Sequence, residues 1–178
     1  MANGDRKLTM DELGRVAPEV YVGRKQRVRV VLDDVRSRHN VGSIFRTADG
    51  FGIEGIILCG FTPTPPHREI EKTALGATAS VPWEYAPDAV SAIARLRSEG
   101  YRVLAVEQTL QALPLQEVVV PVGQPVALVF GNELHGVSDR AIAVCDGSVV
   151  VPQHGSKHSL NISVCAGVVL WWLAGRVD

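Results

Sequence analysis

The residues of this chain that can do chemistry cluster late in the sequence. Gly131-Asn132-Glu133-Leu134-His135-Gly136 follows one apolar run, and Pro152-Gln153-His154-Gly155-Ser156 follows another. Glycine lets backbone N–H and C=O groups approach a ligand closely. Two such loops, joined by Gln108-Thr109 after a third apolar run, can form a cup of backbone donors and acceptors. That lining suits an adenine and a methionine moiety, which need hydrogen bonds but no metal or phosphate cradle. Taken alone, the same glycines are also compatible with ordinary turns.

Polar side chains gather at expected helix starts as well. Asn40 stands where the first helix should begin, and Arg46 lies six residues on, nearly two turns and so roughly on the same side. Asn40 can pair with a backbone group or hydroxyl, and Arg46 with an anion. The alternative is an N-cap at Asn40 and a solvent-facing Arg46, and the local sequence leaves both open. Ser159 and Asn161 open the last helix in the same way. Ser159 alone reads as an N-cap, whereas Asn161 inside an apolar helix is costly unless hydrogen-bonded.

Other chemistries lack their signatures. No GxGxxG follows the first strand and no GxxxxGK[ST] loop is present, which disfavours an NAD enzyme or a P-loop NTPase. His135, His154 and His158 fit no common zinc spacing, so no metal is expected. Cys59, Cys145 and Cys165 form no CxxC pair and sit in or beside apolar runs. They read as buried small hydrophobes in a reducing cytosol.

The elements that must position these groups alternate strand and helix signals from Arg27 onward, the mark of a mostly parallel sheet covered by helices. Strands are expected at Val28–Asp33, Gly55–Gly60, Arg102–Glu107, Ala127–Phe130 and Ser148–Val151, and helices at Asn40–Gly52, Pro87–Glu99, Ser138–Cys145 and Ser159–Ala174. Phe61–Ala79 reads as a long functional loop with one short helical piece, and Leu110–Gln124 as an irregular connector. Residues 1–26 read as an arm with a short helix, and 27–178 as one domain. With 46% hydrophobic and 21% charged residues, the 178-residue chain is globular rather than disordered. The charged N-terminus is unlike a signal peptide, and the longest apolar stretch, Ile162 to Gly175, is short for a membrane span. Both features point to a cytoplasmic protein with no membrane partner.

A formal net charge of −1 gives nucleic-acid binding no support by itself, but the distribution is uneven. Between Arg15 and Arg46 lie Arg24, Lys25, Arg27, Arg29, Arg36 and Arg38, against Glu19, Asp33 and Asp34. That segment is either a local phosphate-binding surface or a solvated face.

Three segments together resemble the SpoU/TrmH branch of the SPOUT methyltransferases. Val31-Leu32-Asp33-Asp34-Val35 through His39-Asn40-Val41-Gly42-Ser43-Ile44-Phe45-Arg46-Thr47-Ala48 is similar to motif 1, and Leu128 through Val137 to motif 2. Val149-Val150-Val151-Pro152, with Gly155 and Ser159-Leu160-Asn161-Ile162-Ser163-Val164 through Gly167, is similar to motif 3. Each motif alone is weak, but their order and their spread from Arg27 onward are specific.

The resemblance implies an α/β fold with a deep C-terminal trefoil knot, a rare exception to unknotted chains. It implies S-adenosylmethionine as cofactor, a homodimer with its active site at the subunit interface, and methylation of a ribose 2′-hydroxyl in tRNA or rRNA. By motif position, the polar site would comprise Arg46, Asn40, Glu133, Ser159 and Asn161. Cofactor contacts would come from Val106, Glu107, Gly131, Val151, Ser159 and Leu160. Arg46 would activate the 2′-hydroxyl either by accepting its proton or by holding a phosphate and stabilising the alkoxide. A free guanidinium has a pKa above about 12, so a literal base there needs a large shift. The sequence shows neither the extra N-terminal RNA-binding domain nor the long C-terminal extension that some members carry. RNA contacts would then fall to the N-terminal arm, to Arg36, Arg38 and His39, and to His67, Arg68 and Lys72 of the 61–79 loop. A non-catalytic RNA-binding protein of this fold, or an enzyme methylating a base nitrogen, are the alternatives.

Overall fold

In a computed structural model of the chain, residues 5–9, 11–14, 25–174 and 176 are described. Arg15, Glu19 and Arg24, and most of the helix expected within 1–26, lie outside the described residues.

The described residues form strands β1 (Gln26–Asp33), β2 (Ile53–Cys59), β3 (Trp83–Ala86), β4 (Arg102–Val106), β5 (Leu113–Pro114), β6 (Val126–Phe130) and β7 (Gly147–Val150). Between and after them run helices α1 (Arg38–Gly50), α2 (Arg68–Ala74), α3 (Ala77–Ser80), α4 (Ala89–Ser98), α5 (Asp139–Val144) and α6 (Ile162–Leu173). The strands form one sheet in the order β3-β2-β1-β6-β4-β7-β5, and every pairing is parallel.

A parallel sheet buried on both faces needs near-continuous apolar strands, and VRVVLD, GIILC and VALVF supply them. Side chains alternate faces with period two. Val28, Val30 and Leu32 of β1, with Val126, Leu128 and Phe130 of β6, meet α1, α2 and α6. Val31, Ala127 and Val129 face the other way, onto α4 and α5. On the first face α1 buries Val41, Ile44, Phe45 and Ala48. Ile44 and Phe45 each stabilise the fold by roughly 1.5–3 kcal/mol relative to exposure.

Several boundaries differ from expectation for local reasons. Helix α1 begins at Arg38, because Ser37 rather than Asn40 is its N-cap, its Oγ accepting from Asn40 N–H at 3.3 Å. Helix α6 begins at Ile162, three residues after Ser159, and Asn161 is its N-cap. The 61–79 loop holds two short helices, α2 and α3, instead of one. Strand β3 was not anticipated: it is short, follows Pro82, and leaves Trp83 and Tyr85 exposed at the sheet edge. The 110–124 connector contributes the two-residue edge strand β5 and a 3-10 turn at Leu115–Glu117.

The basic segment does not form one surface. Arg27 and Arg29 lie near the start of β1 and Arg36 and Arg38 beyond its end, so the strand's length separates them. Arg29 is half-buried in structural contacts, pairing with Glu54 at 3.3 Å and Glu84 at 3.5 Å and lying over the Tyr101 ring. Lys25 donates to the Ser80 carbonyl.

Candidate active site

In an open α/β sheet, ligands bind outside the carboxyl ends of the strands. Here β6, β4 and β7 are neighbours, and the loops leaving them enclose a cleft of about 590 Å3. Its walls combine Val106, Val149, Val151, Leu160 and Ile162 with the polar loop residues. All six positions expected to hold the cofactor, Val106, Glu107, Gly131, Val151, Ser159 and Leu160, line it. Glu133 and Asn161 are also on its wall.

Backbone packing sets the shape of the loop after β6. A Cβ on Gly131 would sit 2.0 Å from Gly136 C and from Val137 N, so the loop closes only over a glycine. Asn132 N–H and Gly136 N–H exchange hydrogen bonds with each other's carbonyls, at 2.9 and 2.8 Å. The Asn132 side chain holds both ends of the turn. Its Oδ1 accepts from Leu134 and His135 N–H, and its Nδ2 donates to the Asp34 carbonyl after β1 at 2.8 Å. Gly136 has φ +69°, and a Cβ there would meet Glu107 Oε2 at 2.1 Å. The Glu107 carboxylate accepts from Val137 N–H at 2.9 Å and from its neighbour Gln108 N–H at 2.8 Å. Glu107 therefore ties the β4 loop to the β6 loop while lining the cleft. Gln108 Nε2 in turn donates to the His158 carbonyl, joining the third loop.

A polar chain runs along the cleft rim and into α1. Glu133 accepts from Arg36 N–H and Ser37 N–H, both at 2.9 Å, and from Asn40 Nδ2 at 3.0 Å. Its carboxylate thus satisfies N–H groups at the start of a helix, where the dipole also favours negative charge. Partial burial disfavours the charged form of Glu133. The bonds from Arg36, Asn40 and Ser37 more than offset this, and its pKa lies below the ordinary 4.5. Asn40 Oδ1 accepts from Asn161 Nδ2 at 3.2 Å, and Asn161 Oδ1 accepts from Ser163 N–H and Oγ at 2.9 and 2.7 Å. Three of the expected polar residues, 93 and 121 positions apart from Asn40, therefore share one hydrogen-bonded chain. Asn161 sits exposed at a helix cap, not inside an apolar helix, and its side chain both donates and accepts.

The other expected residues are placed differently. Ser159 is exposed on the cleft wall. Arg46 is not on that wall and is exposed, without an ion pair or side-chain hydrogen bond among the described residues. At 3.6 residues per turn, six positions leave Asn40 and Arg46 about 120° apart around α1, so the two do not share a side. Arg38, His39, Arg68 and Lys72 surround a separate cavity between α1 and α2, while Arg36 is exposed outside it.

Some contributors were not singled out in the sequence. Asn132 is one, although an Asn inside a glycine-bounded loop is a signal for a side-chain-held turn. Asp33 and Asp34 count as counter-charges in the sequence, yet Asp33 accepts from Ser138 N–H at 3.0 Å and Asp34 from Phe61 N–H at 2.7 Å. Both are loop pins.

Parallel strands with a cleft of small-molecule size at their carboxyl ends define an α/β protein of the open-sheet class. Residues 27–171 match the SpoU rRNA Methylase family, and the chain belongs to that family. The tRNA (guanosine(18)-2'-O)-methyltransferase of Thermus thermophilus is 33% identical over 153 residues, 86% of this chain and 77% of that protein. Among solved structures, the Aquifex aeolicus TrmH/SpoU tRNA modifying enzyme matches with a TM-score of 0.76 at 27% identity, over 86% of this chain and 76% of that one. The AdoMet-bound rRNA methyltransferase from Sinorhizobium meliloti matches with a TM-score of 0.77 at 28% identity, over 87% of this chain. This chain spans 58% of that longer structure.

Proposed function

We propose that the chain transfers the methyl group of S-adenosylmethionine to a ribose 2′-hydroxyl of tRNA or rRNA. The observation that carries this reading is the cleft itself, with all six expected cofactor residues on its wall and the Glu133–Asn40–Asn161 chain along its rim. The names of the relatives, which include ribose methyltransferases and an AdoMet-bound structure, support it.

The residues suit this cofactor. A cleft of about 590 Å3 lies within the range of small-molecule sites, roughly 300–1,000 Å3. Val106, Val151, Leu160 and Ile162 offer apolar surface for an adenine. Gly131 and Gly136 let the loop after β6 close tightly beside the cleft. S-adenosylmethionine supplies a methyl group already activated on a sulfonium. Transfer to ribose O2′ would leave the neutral thioether S-adenosylhomocysteine, with the hydroxyl proton passing to water.

Glu133 and Asn40 hold the start of α1 against the cleft, and Asn161 carries the same order to the cap of α6. Ser159 offers an unengaged hydroxyl to the substrate. Arg46 serves a second copy of the chain: it is exposed and away from its own cleft wall, while α1 packs beside α6. Its guanidinium fork, with five donors, holds the flanking phosphate and stabilises the oxyanion developing at O2′.

The homodimer this requires is supported by α6, which leaves Val164, Val168 and Trp171 exposed at positions i, i+4 and i+7 along one face. Trp171 is 67% exposed, an unusual state for a tryptophan unless a partner covers it. The C-terminal knot that the family resemblance implies is part of this proposal. Residues 27–178 act as the catalytic domain and 1–26 as an RNA-facing arm. No helix among the described residues is long and apolar enough to cross a membrane. The cytoplasm, where tRNA and rRNA reside, is the compartment for this activity.

The test is transfer of labelled methyl from S-adenosylmethionine to total tRNA and to rRNA, followed by nucleoside analysis. Label on a ribose is the expected result. Label on a base nitrogen would replace ribose by base methylation, and cofactor binding without transfer to either RNA would favour a non-catalytic RNA-binding protein.

A further inference from the structure

Between α1 and α2 lies a cavity of about 570 Å3 whose lining is almost entirely basic: Arg38, His39, His67, Arg68, Glu69 and Lys72. Three permanent cations against one carboxylate leave two positive charges before either imidazole is protonated. The whole chain carries a net charge of −1, so this concentration is local and not a general property of the surface.

The two helices that carry these side chains are locked together. A Cβ on Gly42 of α1 would lie 2.1 Å from Thr73 Oγ1 and 2.2 Å from the Ile70 carbonyl of α2, so only glycine permits this approach. Thr73 Oγ1 also donates to the His39 carbonyl at 3.0 Å. Arg68 and Lys72, four residues apart on α2, share a face. His67 Nδ1 accepts from Glu69 N–H at 3.2 Å, which puts the neutral ring's proton on Nε2 as a further donor. The ion pair within the lining, Arg38 to Glu69 at 3.5 Å, joins half-exposed side chains, so it is weak and readily exchanged for another anion.

We infer that this cavity is a binding site for backbone phosphates of the RNA, close to the ribose that is methylated. This rests on the methyl-transfer reading above. Its position follows from the chain: His39 lines the cavity, and the next residue, Asn40, bonds Glu133 at the cofactor cleft. An RNA strand whose phosphates sit on Arg38, Arg68 and Lys72 therefore passes the start of α1 at the rim of that cleft. Glu69 acts as the counter-ion the phosphate displaces.

The experiment is fluorescence anisotropy of labelled unfractionated tRNA with the full chain, across a salt series, for wild type, the double variant Arg68→Ala/Lys72→Ala and Glu69→Gln. Backbone binding is largely independent of sequence, so unfractionated tRNA is an adequate probe. The double variant should bind at least about tenfold more weakly at low salt, and its log–log salt slope should shrink by roughly 1.4–1.8 for two lost phosphate contacts. S-adenosylmethionine affinity, read by calorimetry, should not change. Glu69→Gln should bind tRNA up to about fivefold more tightly. A misfolded variant cannot produce that gain, so the test stands even if the double variant folds poorly. Wild-type affinity and slope in both variants, or no tRNA binding by wild type, would overturn the site; a cavity serving an acidic protein gives the first of these results. Wild type that binds tRNA through these residues but transfers no methyl would sink the reaction and leave the phosphate site. Normal methylation with an unchanged KM for RNA in both variants would do the reverse.

Discussion

The two halves of helix α1 are treated differently by the rest of the molecule. Its first turn is tied to the cofactor cleft by four contacts: Arg36 N–H, Ser37 N–H and Asn40 Nδ2 on Glu133, and Asn40 Oδ1 on Asn161. Two turns later Arg46 projects into solvent with no partner among the described residues. The contrast teaches that one chain completes the rim of its cleft by itself but leaves Arg46 outside it. Held polar groups fix geometry, and an unpaired guanidinium keeps its charge and reach for a substrate or a second subunit.

The largest effect that could break this contrast is at Arg46. Arg46→Ala should lower turnover by about a thousandfold or more while S-adenosylmethionine affinity, measured by calorimetry, stays at the wild-type value. Near-normal turnover would remove Arg46 from the reaction. In the tied half, Gly131→Val forces a side chain into the backbone at Gly136 and Val137. It should weaken cofactor binding by about 5- to 150-fold, the scale of about 1–3 kcal/mol of overpacking. Mixing the two variants sharpens the comparison further. If each site pairs one chain's cleft with the other chain's Arg46, random re-pairing puts one intact site in half of the dimers. About a quarter of wild-type activity should return. No recovery after verified subunit exchange would mean that each chain uses its own Arg46.

A smaller effect is expected at Glu133. Glu133→Gln keeps the size but weakens the acceptor at the start of α1, and should cost about 1 kcal/mol in denaturant unfolding at neutral pH, the scale of a lost helix cap. Because the folded-state pKa lies below 4.5, the carboxylate's contribution is complete above that pH and fades as the pH falls through the lowered value. The stability gap between wild type and variant should therefore close in acid. A gap independent of pH would show that the carboxylate's charge is not what holds the helix.

The smallest effect concerns the thiols. Burial, chiefly, pushes Cys59 and Cys145 up to about 12 and Cys165 to about 11. Native protein at pH 8 should alkylate slowly at all three, as read by mass spectrometry. S-adenosylmethionine should slow the reaction further only at Cys165, which lines the cleft. Equal protection of Cys59 would point to a global rather than a local response.

Much of this was legible in the sequence. The strands of the central sheet are continuous apolar runs because both of their faces are buried, and such runs are visible without coordinates. The glycine loop after β6 was visible for the same reason that it works: few residues other than glycine fit the backbone at Gly131 and Gly136. What misled was spacing within a helix. Asn40 and Arg46 look like one site when counted in turns, but their angular positions differ by about 120°. Charge misled as well, since Arg29 lies within β1, spent on Glu54 and Glu84, while Arg36 lies beyond the strand's end at the start of α1.

By itself, then, the sequence determined β1, β2, β4, β6 and β7 but not the edge strands β3 and β5, and it determined which loops carry glycine and which polar residues are available at motif positions 40, 46, 133, 159 and 161. These follow from local conformational preference and from burial patterns, which act over a few residues. Only the tertiary structure decided that Glu133 lies on the start of α1, that Asn161 reaches Asn40 from 121 residues away, and that the close approach at Gly42 sets Arg38 and Lys72 around one cavity. Those contacts depend on strand order and on the closeness of two helices. Strand order is set by how the whole sheet buries its faces, which no local window of residues contains.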